Sequence, residues 1–166
     1  MIFTAIDFET ADHGRDSACA VAAVTVADDE IIDRYVQLIR PPRADFFFTH
    51  IHGISWEDVE TSPTFADIWP ALSEFLAPSD FLVAHNAGFD RSVLNKCCQT
   101  SDIAIPDKRF ACTVKAARSA WRDLPSHKLN IVCDHLSIPL QHHDALSDAE
   151  ACARIAIQAT QMGVIL

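Results

Sequence analysis

Three apolar stretches of strand type crowd the first 39 residues, at about 1–9, 20–28 and 31–39, and Pro41-Pro42 ends the last of them. This predicts an opening antiparallel meander. The rest of the chain reads differently. Helical periodicity runs at about 65–77, 86–99, 114–121, 129–136 and 146–161, interrupted by a short apolar strand at 81–84 and an extended piece near 109–112. A mixed stretch with FFFTHIHGI lies between the third strand and the helix that begins near Phe65. Strands gathered early with helices alternating later fit an α/β layer structure, a mixed sheet flanked by helices. With 166 residues, 49% of them apolar, the chain is long enough for one real core, and a single domain over 1–166 is expected.

Composition removes several classes of function. No run of about 18 apolar residues exists, and the first strand already carries Asp7 and Glu9, so neither a membrane span nor a signal peptide is readable. A cytoplasmic protein with no membrane partner is the expectation. Six cysteines (19, 97, 98, 112, 133 and 152) sit in apolar runs without a C-x-x-C pair, which reads as reduced, mostly buried thiols. The formal net charge of −10 argues against broad binding to a long duplex, because phosphate contacts need clustered Lys and Arg. That objection weakens where several acids are metal ligands, since bound divalent ions cancel the charge and themselves grip phosphate.

Three segments carry chemistry. Side chains alternate along a strand, so Asp7 and Glu9 share one face near the end of the first strand, where two carboxylates repel unless water, donors or a cation neutralise them. HNAGFD (85–90) falls where an apolar strand gives way to a helix, the usual gathering place of ligands in α/β folds. There Asn86 reads as an N-cap, and Asp90 sits one turn in. HHDALSDAEA (142–151) opens the last helix. His143 precedes Asp148 by five positions, so a loop histidine can hang over a carboxylate on the first helical turn.

An acidic pair on the first strand, an Asp after a central strand and a His with an Asp on the last helix together resemble the DEDD exonuclease superfamily. Within it the match is to the branch with histidine in the last motif, which includes the proofreading epsilon subunit of DNA polymerase III, ribonuclease T and oligoribonuclease. The resemblance runs from IDFETA through SACAVAAVTV, HIHGI, VAHNAGFD and FACTV to HHDALSDAEA. In the first block DFETA stands where many relatives follow the acidic pair with threonines and glycine.

The resemblance implies a ribonuclease H-like fold, a five-stranded mixed sheet with helices on both sides. It implies that Asp7, Glu9, Asp90 and Asp148 hold two Mg²⁺ or Mn²⁺ ions, that His143 is the general base, and that nucleoside 5′-monophosphates leave a single-stranded or frayed 3′ end of DNA or RNA. It also places Thr10, Ile54, His85, Asn86 and Phe89 against the terminal nucleotide. Alternatives are an oligoribonuclease-like hydrolase of very short RNA and a non-catalytic polymerase-docking or nucleic-acid-binding module. A polymerase partner fits the epsilon likeness, although no tail after the last expected helix is readable as a docking segment. The residues leave the choice between DNA and RNA, and the oligomeric state, open.

Overall fold

A computed structural model describes residues 1–166. The strands are β1 (Ile2–Thr10), β2 (Ala18–Ala27), β3 (Glu30–Leu38), β4 (Phe81–Ala84) and β5 (Phe110–Cys112). They form one sheet in the order β3-β2-β1-β4-β5, in which β3 pairs with β2 and β2 with β1 antiparallel, and β1 pairs with β4 and β4 with β5 parallel. The helices are α1 (Thr49–His52), α2 (Trp56–Val59), α3 (Phe65–Leu76), α4 (Gly88–Thr100), α5 (Thr113–Ala120), α6 (Leu129–Leu136) and α7 (Ala145–Gln161). The expected mixed sheet of five strands with helices on both faces is what the chain forms.

The alternation of β1 and β2 divides the core. Ile6, Phe8, Val21 and Ala23 point to the face covered by α3 and α4, whereas Phe3, Ala5, Ala20, Ala22, Val24 and Val26 point to the face covered by α7. β2 is therefore buried on both faces, which explains its near-continuous apolar sequence. On the α7 side the contact is alanine against alanine: Ala20 and Ala22 meet a helix whose inner stripe is Ala145, Ala149, Cys152, Ala153 and Ala156. Small side chains let helix and sheet approach closely. Helical period puts Asp148 on that same inner stripe, so the first turn of α7 carries a buried carboxylate toward the sheet.

Two expectations need correction. The mixed stretch contains the one-turn helices α1 and α2, and helix α4 begins at Gly88 with Ala87 as its N-cap. Asn86 is no cap. It stands in the turn before the helix with φ of 68°, a left-handed conformation that Asn tolerates better than most residues, and its carbonyl accepts the N–H of Phe89.

Candidate active site

The row of β1 that faces α7 reads Phe3, Ala5, Asp7, Glu9, so it changes from apolar to acidic halfway along. Asp148 of α7 completes the acidic end. Asp7, Glu9 and Asp148 each place a carboxylate oxygen within 4.8 Å of the others. Asp90 joins from α4, 2% exposed, and its Oδ1 accepts the backbone N–H of Phe8 at 3.1 Å. The short β4 makes room for it: pairing of β1 with β4 ends at Ala5 and Val83, and beyond that point the Asp90 carboxylate meets a β1 N–H that has no strand partner on this side.

No Lys or Arg forms an ion pair with the group. Burial, reinforced by Asp90, Glu9, Asp148 and Asp144, holds Asp7 well above the ordinary carboxylate range. Burial and the carboxylates Asp148, Asp90 and Asp144 push Glu9 up to about 8. Burial lifts Asp90 to about 7 despite the N–H of Phe8 and the charge of Arg15. Asp148 is raised, again by burial, against the pull of His143 N–H and His142. Hard carboxylate oxygens, close together and destabilised in their charged form, are the donor set a divalent cation needs, so these residues fit one.

Both histidines of the last motif touch Asp148. The backbone N–H of His143 donates to Asp148 Oδ2 at 3.1 Å, and His142 Nδ1 lies 3.2 Å from the same oxygen. A carboxylate only accepts, so His142 donates from Nδ1. The two rings stack at 3.8 Å between centroids, 17° apart, and His143 has a φ of 69°. Burial, followed by the neighbouring His142, lowers the pKa of His143, with Asp148 opposing. Its ring thus stays a free base below the ordinary histidine range.

The remaining expected residues line the same end of the sheet in different ways. Thr10 is buried, and its carbonyl accepts His52 Nε2–H at 3.1 Å, while His52 Nδ1 accepts the N–H of Ile54 at 3.1 Å. Ile54 is half-buried against the α7-side core. Phe89 is half-buried with the Arg15 guanidinium 4.4 Å over its ring, and Asn86 is exposed. His85 is committed inward. Its Nε2 donates to His127 O at 3.0 Å and its Nδ1 accepts from the Thr113 hydroxyl at 2.9 Å, with burial pushing its pKa down to about 4. Sequence reading passed over His52, His142 and Arg15. The two histidines stand in segments already singled out, so their positions were signalled, but not their bonds.

The ribonuclease H-like sheet thus brings four carboxylates and a histidine, from its central strand, a flanking helix and the last helix, to one end, a donor set that fits divalent cations. The chain belongs to the RNase_T exonuclease family, whose model matches residues 4–156. It is 35% identical over 153 residues to the PolC-type DNA polymerase III of Oceanobacillus iheyensis, which covers 90% of this chain and 11% of that protein. Likeness to the Clostridium perfringens PolC-type polymerase is 32% over 157 residues, again 11% of the relative. The chain thus spans about a tenth of the length of these polymerases. Exonuclease X, solved in complex with 5′ overhanging duplex DNA, superposes with a TM-score of 0.79 at 27% identity, covering 98% of this chain and 94% of that one. The nuclease domain of 3′hExo, a DEDDh family member bound to rAMP, shares the fold with a TM-score of 0.81 at 22% identity, covering 98% and 92%.

Proposed function

We propose that this chain hydrolyses the terminal phosphodiester at a single-stranded or frayed 3′ end of DNA or RNA and releases a nucleoside 5′-monophosphate. The observation that carries the reading is the meeting of Asp7, Glu9 and Asp148 within 4.8 Å, beside buried Asp90 and under the His142–His143 pair. Asp7, Glu9, Asp90 and Asp148 would hold two Mg²⁺ or Mn²⁺ ions, which when bound stabilise charge on the attacking and leaving oxygens. His143 removes the proton from the attacking water, a task suited to a ring kept unprotonated at neutral pH. His142, donating to Asp148, orients that carboxylate, as outer hydrogen bonds orient ligands generally.

Ile54 and Phe89 offer apolar surfaces to the terminal base and sugar, Thr10 and Asn86 offer polar ones, and His85 stiffens the wall behind them. Exonuclease X is described on DNA and 3′hExo with a ribonucleotide, so both substrate classes are within the fold's reach. A digestion panel tests the proposal: end-labelled DNA, RNA and dinucleotides with Mg²⁺, Mn²⁺ or chelator. Stepwise loss of 3′ nucleotides in metal alone is expected. Intact ends with both metals would defeat the catalytic reading and leave a binding or polymerase-docking module.

A further inference from the structure

The protein's acidity hides an uneven distribution of cations. Between Lys115 and Lys128 the chain carries Lys115, Arg118, Arg122 and Lys128, four of its 13 Lys and Arg, against the single acid Asp123. Lys115 and Arg118 stand one turn apart on the outer side of α5, away from buried Ala116 and Ala117. Arg122 follows the helix's C-cap, and Lys128 caps the start of α6. All four are exposed, and none pairs with a carboxylate: the ion pairs of the chain engage the Met1 amine, Arg34, Arg43 and His142.

This segment is tied to the active site through one imidazole. His85, the residue before Asn86, bonds to Thr113 at the start of α5 and to the carbonyl of His127, next to Lys128. His127 in turn closes the loop with a 2.9 Å bond from Nε2 to Trp121 O. Both ends of the basic segment are therefore anchored to the wall of the site, while its long side chains stay free.

We propose that residues 115–128 form the surface that holds a single-stranded DNA or RNA chain upstream of its 3′ end, with Lys115, Arg118, Arg122 and Lys128 contacting successive phosphates. The proposal rests on the nuclease reading above. A flexible strand can follow a local strip of cations, whereas a rigid duplex would also be pressed against the acidic remainder of the surface. The strip supplies phosphate attraction locally in a chain whose net charge is −10.

Binding and turnover separate the two ideas. Anisotropy of a labelled single strand of about 20 nucleotides is measured in Ca²⁺ for the wild type and for the triple variant Lys115→Gln, Arg118→Gln, Arg122→Gln. A charge-matched control, Arg40→Gln, Lys96→Gln, Arg154→Gln, removes three cations elsewhere. The strip variant is expected to bind about tenfold or more weakly, with a salt slope shallower by about 2, while the control stays within about twofold. Equal weakening of both variants, or of neither, would overturn the proposal. Wild-type hydrolysis of a dinucleotide in Mg²⁺ or Mn²⁺ tests the nuclease reading alone. Turnover without a strip effect rejects only the strip, and a strip effect without turnover rejects only the nuclease.

Discussion

Two acidic clusters lie a few residues apart in this chain and are treated in opposite ways. Asp12 and Asp16, in the loop after β1, share Arg43, whose guanidinium bonds both carboxylates at 2.8–3.1 Å. Burial would raise Asp12, but Arg43, Gly14 N–H and Ser17 outweigh it, and the bond from Arg43 likewise brings Asp16 below its ordinary value. Asp7, Glu9, Asp90 and Asp148 have no such partner and all four are raised. Where the acids are structural, the fold supplies a covalently fixed cation. Where they line the proposed active site, it withholds one, and the unmet charge is what a diffusible divalent ion would satisfy.

The largest expected effect follows from removing one acid of the proposed active site. Asp7→Asn should lower turnover by about 10³-fold or more, since a whole ionic contact to the reacting centre is lost. Its metal-free form should melt higher than the wild type, because Asp7 repels three carboxylates; a lower melting point would mean that Asp7 stabilises the fold. His143→Ala should cost about 10²–10⁴-fold. The wild-type rate, at saturating metal, should keep its acid limb below about pH 6.5, the direction in which burial moves His143. An acid limb well above that value would reassign the base.

Stability against pH discriminates the two clusters without any assay of activity. A carboxylate raised in the folded state binds more protons there than in the unfolded chain, so the stability it permits is greatest below the unfolded value and is lost as pH rises. With Asp90 near 7 and Glu9 near 8, the metal-free protein should lose melting temperature between about pH 4 and 8. Saturating Mg²⁺ should restore it at pH 8 far more than at pH 5. The Asp12 and Asp16 contribution has the opposite sign, present above about pH 4 and lost in acid. A flat metal-free profile in calorimetry would contradict the unmet charge.

The smallest effect is Arg43→Ala. It leaves two part-buried carboxylates without a partner, at a cost of about 1–2 kcal/mol at pH 7, discounted from the fully buried case because the guanidinium is 39% exposed. For a chain of this size that is about 2–8 °C in melting temperature. Addition of Mg²⁺ should not rescue it. Rescue would show that the two clusters are interchangeable and that the contrast drawn between them fails.

Strand period and helix period carry most of what the sequence by itself determined. A period of two puts Asp7 and Glu9 on one face, and helical spacing puts Asp148 on the inner stripe of α7 with Ala145, Ala149 and Cys152. The order of apolar stretches points to a mixed sheet flanked by helices. These are local properties, set by backbone geometry within a few residues. Contacts between distant segments were decided by the tertiary structure alone: Asp90 reaching the N–H of Phe8, Arg43 spanning two aspartates, His52 pinning Thr10 to Ile54, and His85 joining α5 to the loop before α6. The same holds for α1 and α2, each one turn long and too short to form without packing. The start of α4 moved to Gly88 because Asn86 adopts a left-handed turn. Whether a polar side chain caps, coordinates or braces depends on which group the fold brings within hydrogen-bond reach, and no periodicity along the chain encodes that distance.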